Sequence, residues 1–349
     1  MDIPNPEGQG RLIAQVINKG LCVRCGACVG LCPYFNYFDG KVVVMDLCPA
    51  GSFRCLQVCP RAGYHETSPM GGETADGIGV CSEILMARST DEAVRKSSQY
   101  GGVVSALLIY ALENEMISSA VLTDAGDPFA PKGRMAEKRS EVLDCAGSRY
   151  SASGSLSALN RAIKKGHSRL AVVGLPCQME ALARMRLMRP DGQERSQAVS
   201  LKIGLFCTWA IDYPRLKAYL ARQKVEGPVL KSDIPPPPSE AFKVKTQVGW
   251  RDFPLSDIRP MVQKGCFLCE DMTAEQSDIS VGTAEGREGW NTVIARTDTG
   301  SQLLKRLIVG GWLETDDLPG ASLDHLKEAA RNKRDRARQA EIDRSTENE

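Results

Sequence analysis

The sequence predicts an α/β chain in two parts, a short cysteine-rich N-terminal segment and a larger α/β body. Three observations carry this. Seven of the thirteen cysteines fall between residues 21 and 60. From about residue 95, short apolar runs alternate with stretches of helical spacing. The 349 residues, 42% of them hydrophobic, suffice for a sizeable core and for two domains, or one domain with an appendage.

Composition narrows the function classes. Lysine plus arginine (44) balance aspartate plus glutamate (43), which argues against nucleic acid or a membrane surface as the main partner. Three scattered histidines, His65, His167 and His325, do not suggest a histidine-built metal site. The N-terminus, Met1-Asp-Ile-Pro-Asn-Pro-Glu, lacks a basic stretch followed by an apolar run, so no secretory leader is expected. The longest apolar run, Val103–Leu112, is about half of the ~18 residues that a membrane span needs. The reading is therefore cytoplasmic, where grouped cysteines bind metal or do redox chemistry more often than they pair as disulfides.

In chain order, residues 1–65 form the cysteine-rich segment, too short to bury much apolar surface unaided. Residues 61–80 are rich in Gly, Thr and Ser and read as a linker. The body spans 80–315. Val103–Glu115 reads as a helix, Ala120-Val-Leu-Thr as a strand and Leu156–Lys165 as a helix. Leu170-Ala-Val-Val is a strand, Met179–Leu187 a helix and Leu201–Phe206 a strand, a run that predicts a parallel pair. Pro235–Pro238 is a stiff surface spacer. Ile279-Ser-Val and Thr292-Val-Ile-Ala read as two strands around a glycine-rich loop. The tail, 316–349, is charged and helix-prone, with six basic residues between Lys327 and Arg338. It reads as a solvated, fraying helix or as a docking element for a partner subunit.

The strongest motif is Cys22-Val-Arg-Cys25-Gly-Ala-Cys28-Val-Gly-Leu-Cys32-Pro33, the C-x2-C-x2-C-x3-C-P spacing of bacterial ferredoxins. Three closely spaced thiolates wrap one corner of a 4Fe-4S cube, and Gly26 permits the tight turn. The cysteine before proline serves the other cluster of a pair. The return segment holds Cys48, Cys55 and Cys59. This assigns Cys22, Cys25, Cys28 and Cys59 to a first cluster and Cys32, Cys48 and Cys55 to a second. The second departs from the regular pattern, because Pro49 and Ser52 stand where two cysteines belong. Its fourth ligand could be Ser52, Cys81 or a non-protein group; a three-iron form, or no cluster, is the alternative. Structural zinc is the competing reading of the whole group.

Four further cysteines form a dispersed set. Cys177 follows the strand Leu170–Val173 and Cys207 ends the strand Leu201–Phe206. In a parallel sheet both would sit at the carboxyl edge, where open α/β sheets bind ligands. Cys266 and Cys269, in Cys-Phe-Leu-Cys, could fold back over that edge. The alternative is that buried cysteines act as small hydrophobes, the reading adopted for Cys145 and held open for Cys81 beside that of a fourth ligand.

These residues also carry a family likeness. Residues 80–310 contain Ser98-Gln-Tyr-Gly-Gly-Val-Val-Ser-Ala-Leu-Leu, Ala146-Gly-Ser-Arg-Tyr, Val173-Gly-Leu-Pro-Cys-Gln, Ile203-Gly-Leu-Phe-Cys, Cys266-Phe-Leu-Cys-Glu-Asp and Ser277-Asp-Ile-Ser-Val-Gly. In these pieces and their order the chain resembles the coenzyme F420-reducing hydrogenase beta subunit and its relatives. Those include subunits of F420 dehydrogenases and formate dehydrogenases, and 7-hydroxymethyl chlorophyll a reductase. The resemblance implies an oxidoreductase whose α/β body binds FAD, and a 4Fe-4S cluster held by Cys177, Cys207, Cys266 and Cys269, making two or three clusters in all. The sequence departs from the family at Tyr100, where relatives have an acidic residue, and at Leu175, where they have threonine. Both departures bear on the hydride donor.

For the flavin, Gly101-Gly102 before a helix start is a candidate phosphate cradle, since helix N-termini attract anions. Gln99 and Ser105 could hydrogen-bond the cofactor. Ser148, Arg149 and Tyr150 offer a hydroxyl, a guanidinium suited to phosphate and a ring that could stack on the flavin; for Arg149 the alternative is a surface cation. No G-x-G-x-x-G occurs, so an ordinary dinucleotide-binding fold is not expected. The implied function is electron transfer between a hydride-carrying coenzyme, FAD and clusters, on to a hydrogenase, formate dehydrogenase, heterodisulfide reductase or sulfite reductase partner. Two other readings are a ferredoxin-dependent reductase of an organic substrate and a pure electron-transfer subunit. No side-chain acid or base is required for the hydride step, so no catalytic residue is assigned.

Overall fold

The computed structural model describes residues 6–49, 53–62, 76–124, 126, 131–188, 191–236 and 238–346. Most of the expected linker, Ser52, Pro237 and His65 lie outside the described residues.

The N-terminal segment contributes one hairpin, β1 (Phe35–Phe38) and β2 (Lys41–Val44). The body follows with β3 (Glu83–Ser89), β4 (Ser119–Thr123), β5 (Gly133–Ala136), β6 (Leu170–Gly174) and β7 (Val199–Leu205). An excursion then forms β8 (Lys231–Asp233), β9 (Ala241–Thr246) and β10 (Gly249–Pro254), and the chain returns with β11 (Ile279–Thr283), β12 (Asn291–Ala295) and β13 (Leu313–Asp316). Eight strands build one mixed sheet in the order β13-β3-β12-β11-β7-β6-β4-β5. Its centre, β11, β7, β6 and β4, is parallel, and its flanks are antiparallel. The expected parallel pair is β6 and β7, joined through the helix Pro176–Leu187.

Local chemistry explains the elements that position the site. β4 and β6 are near-continuous apolar runs because both sheet faces are covered. Val103–Glu113 is apolar on nearly every side and is a core helix. Pro176 opens its helix at a position where a missing N–H costs nothing. There the Gln178 side chain accepts the Leu175 N–H at 2.8 Å. Asp91 caps Glu92–Ser97 by accepting from Ala93 and Val94.

Three features depart from the sequence reading. The strands β3, β5, β8, β10 and β13 lack a clear alternation and are set by tertiary pairing, whereas β9 alternates, with Phe242, Val244 and Thr246 buried. Pro235 and Pro236 line the main cavity rather than forming a surface spacer. The tail is one helix, Gly320–Thr346, and it neither frays into solvent nor stands free. Leu326, Ala330, Lys333, Arg334 and Ala337 are buried, the spacing of one helix face. Among the described residues no helix is long and apolar enough to cross a membrane.

Candidate functional site

The N-terminal segment is bonded to the body. The Leu156 N–H donates to the Cys25 carbonyl at 3.2 Å, and the buried Asn160 side chain donates to the Ala27 and Val29 carbonyls at 2.8 and 2.9 Å. Gly26 has φ +82°, and a β-carbon there would lie 2.5 Å from the Gly154 carbonyl oxygen. Glycine is required on both counts. Arg24 pairs with Asp212, which also caps Tyr213–Arg222.

All thirteen cysteines are free. They group as neighbours that sense one another's charge. Cys22, Cys25, Cys28 and Cys59 form one group. Cys32, Cys48 and Cys55 form a second. Cys177, Cys207, Cys266 and Cys269 form a third at the carboxyl ends of β6 and β7. The groups lie within electrostatic reach of one another in series, Cys28 sensing Cys55 and Cys177 sensing Cys25. Cys81 is not the missing fourth member of the second group. It packs beside Ile78, Ile294 and Leu326, with the tail helix, in a different part of the core. Cys145 borders the main cavity rather than serving only as core filling.

The donor chemistry fits iron–sulfur clusters. Burial pushes Cys59 up to about 11 and Cys55 and Cys207 up to about 12. Thiolates are therefore disfavoured unless a cationic core holds them. Among the described residues no three His, Cys, Asp or Glu side chains converge closely enough for one ion.

Two buried cations beside the third group have no counterpart in the sequence reading. Arg61, just past Cys59-Pro60, pairs with Glu180 at 3.8 Å and lies near Cys269, Cys177 and Cys266; its Nε and one terminal nitrogen lack a hydrogen-bond partner among the described residues. Lys333, from the tail helix, donates to the Cys207 and Asp271 carbonyls at 2.5 and 2.6 Å. Neither lies in a recognisable motif, so only the packing could reveal them.

Next to the third group is a cavity of about 460 Å³, which Cys207 itself lines. It opens at the carboxyl edge of the parallel strands, bounded by Thr123, Gly174, Leu205 and Thr283. Gln99, Gly102, Ser105, Ser148, Arg149 and Tyr150 all line it. Gly101 does not. It packs against the sheet, where a β-carbon would lie 2.8 Å from Asn291 Oδ1 and 2.9 Å from the Ala87 carbonyl oxygen. The glycine there answers close packing, and the Val103 N–H is taken by Asn291 Oδ1 at 3.4 Å.

The lining fits a flat, polar-edged cofactor. Gln99 Oε1, Arg149 Nε, Ser151 Oγ and Ser153 Oγ are buried without a partner among the described residues. Orphaned polar groups of this kind are costly unless a ligand satisfies them. Arg149 is no surface cation; burial lowers its pKa, and among the described residues it donates to the Ser148 carbonyl at 2.9 Å. Tyr150 is less available for stacking than expected. Its hydroxyl donates to Asp233 Oδ1 at 3.1 Å and accepts the Ile234 N–H, and its ring packs edge-on to Phe242. The Tyr100 hydroxyl meets the same Asp233 oxygen at 3.2 Å, and burial with that carboxylate's charge pushes Tyr100 up to about 12. Leu175 also lines the cavity, so both departures from the family pattern face it. Ser151, Ser153 and Gln178 were missed; only Gln178 had a signal, its place after Pro-Cys.

Comparison with known proteins adds to this geometry. Residues 84–160 and 167–320 match the profiles described as coenzyme F420 hydrogenase/dehydrogenase beta subunit N-terminus and C terminus, and residues 16–35 match a 4Fe-4S binding domain. The coenzyme F420 hydrogenase subunit beta of Methanosarcina barkeri is 32% identical over 75% of this chain and 91% of its own. The coenzyme F420-dependent sulfite reductase of Methanocaldococcus jannaschii is 30% identical over 83% of this chain but 46% of its own, so the chain spans about half of that relative. In the solved F420-reducing [NiFe] hydrogenase complex of M. barkeri, one chain superposes with a TM-score of 0.73 at 30% identity. The match covers 79% of this chain and 96% of that one.

Proposed function

The chain belongs to the coenzyme F420 hydrogenase/dehydrogenase beta-subunit family, a family of oxidoreductase subunits, and on that premise we propose that it is an iron–sulfur flavoprotein. In this reading it passes electrons between coenzyme F420, FAD and 4Fe-4S clusters, and on to a partner enzyme of the hydrogenase, formate dehydrogenase, heterodisulfide reductase or sulfite reductase type. A cytoplasmic location, where thiols stay reduced, is part of the reading.

The carrying observation is continuity. Cys207 lines the cavity and neighbours Cys266 and Cys269. Cys177 of the same group neighbours Cys25, and Cys28 neighbours Cys55. One series of sulfurs thus runs from the cavity to the N-terminal segment. There Cys32 adjoins a second concavity of about 430 Å³ lined by Arg161, Lys164 and Arg195.

When bound, FAD would supply the exchange between the electron pair of a hydride and the single electrons that clusters carry. The chain's residues bind and orient. Arg149 and the Gly102 turn would face the diphosphate, and Gln99, Ser105, Ser148, Ser151 and Ser153 would satisfy polar edges. Ser105 lies on the helix Val103–Glu113, whose N-cap is Gly102, and Gln178 of the helix Pro176–Leu187 donates to the Ser153 carbonyl at 2.8 Å. Cys177, Cys207, Cys266 and Cys269 would hold one cluster, and Cys22, Cys25, Cys28 and Cys59 another. Cys32, Cys48 and Cys55 offer three ligands for a third.

Anaerobic stopped-flow tests this. Reduced F420 should bleach the flavin, with cluster reduction following. Bleaching by NADH alone would change the donor. Bleaching only by reduced ferredoxin would favour the ferredoxin-dependent reductase or the pure electron-transfer subunit, and a colourless, zinc-bearing preparation would end the proposal.

A further inference from the structure

We propose that Lys333, on the C-terminal helix Gly320–Thr346, is the fixed positive charge that raises the reduction potential of the body iron–sulfur site. The tail helix is then part of the redox apparatus. The inference rests on reading Cys177, Cys207, Cys266 and Cys269 as cluster ligands.

The helix presents Leu326, Ala330 and Ala337 inward, and its periodicity calls for another apolar residue at 333. The residue is lysine, with 3% of its surface exposed. Burying an ammonium costs several kcal/mol unless an anion compensates it. Its hydrogen-bond partners are two main-chain carbonyls, of Cys207 and Asp271, rather than carboxylates. The charges around it are the sulfurs of Cys269, Cys207 and Cys266, and the carboxylate of Asp271. That carboxylate accepts the Glu275 N–H at 2.9 Å through Oδ2, while its buried Oδ1 has no hydrogen-bond partner among the described residues, Lys333 included. A thiolate-bound cluster is anionic, and reduction adds one more negative charge. A cation held in a low-dielectric interior beside it favours the reduced form. The Ala210 N–H, donating to Cys266 Sγ at 3.4 Å, acts in the same sense. Arg61 approaches the group from the N-terminal segment, so cations from both ends of the chain flank it. The matched family profile ends at residue 320, where the tail helix begins.

The test is a dye-mediated redox titration of the full-length, anaerobically purified protein, read by EPR, with iron counting. The body signal is identified as the one lost in Cys177→Ser. Lys333→Gln keeps a donor to the two carbonyls and removes the charge. It should retain all iron and shift that midpoint to more negative potential by at least ~59 mV, a tenfold change in the reduced-to-oxidised ratio for one electron. Lys333→Arg should keep the wild-type midpoint. A Lys333→Gln site titrating at the wild-type potential overturns the proposal. Loss of that site's iron in either variant overturns it too, because the residue would then act in assembly. If the wild-type protein shows no signal that depends on Cys177, the ligand assignment itself has failed, an outcome distinct from an unshifted midpoint.

Discussion

Gly265 and Leu21 meet so closely that a β-carbon on Gly265 would lie 2.0 Å from the Leu21 carbonyl oxygen. Each residue immediately precedes a candidate ligand, Cys266 and Cys22. The contact joins the N-terminal segment to the Cys-Phe-Leu-Cys turn and fixes the first cysteine group against the third. Gly265→Ala should therefore strain both. Overpacking of this kind costs about 1–3 kcal/mol, which differential scanning fluorimetry would register as a lowered Tm. Iron content should fall at both groups rather than at one.

Cysteine replacements should divide the chain's iron into separable sets. Cys25→Ser or Cys59→Ser should remove one EPR signal, and Cys177→Ser or Cys269→Ser another. Cys81→Ala should remove none, since Cys81 packs with Ile78 and Ile294, away from every group. Iron loss in Cys81→Ala would contradict that placement.

Arg149→Met should weaken retention of flavin. A hydrogen bond from a charged group contributes about 1.5–3 kcal/mol, so the dissociation constant should rise roughly 10–150-fold. Fluorescence of released flavin in dilution series measures this directly. Arg149→Lys should restore part of the loss, because it keeps the charge but not the planar fork.

Glu275 gives a pH signature. Burial first, then the Asp271 charge, raises its pKa to about 7, despite the Arg334 partner at 2.9 Å. A carboxyl raised in the folded state binds its proton more tightly there than in the unfolded chain. Its contribution is present below the unfolded value of about 4.5 and declines as pH rises towards about 7. Glu275→Gln should flatten that part of the stability-against-pH curve, as read from denaturant midpoints between pH 4.5 and 7. A curve unchanged in slope would show that Glu275 titrates normally.

Much was legible before any fold was known. The C-x2-C-x2-C-x3-C-P run is local, so its chemistry is written in spacing. The elements Val103–Glu113, Leu170–Gly174, Pro176–Leu187 and Val199–Leu205 have strong periodicity or continuous apolar character, and they lie where the pattern put them. Cys177 and Cys207 were placed at one sheet edge because parallel strands bring their carboxyl ends together. Of the flavin candidates, all but Gly101 line one cavity.

Other features were decided only in three dimensions. The edge strands β5 and β13, the interior strand β3, and β8 and β10 of the smaller sheet answer to cross-strand pairing rather than to a local pattern. Arg61 and Lys333 look like ordinary charged residues in the sequence, and only the packing of two distant segments against the third cysteine group buries them. The sequence by itself determined which cysteines are candidate ligands and which strands align Cys177 and Cys207. Tertiary structure decided which groups adjoin, that Cys81 stands apart, and that the tail helix covers the body site. The physical reason is range: spacing and periodicity act over a few residues, whereas burial and charge compensation depend on whatever distant chain arrives to exclude water.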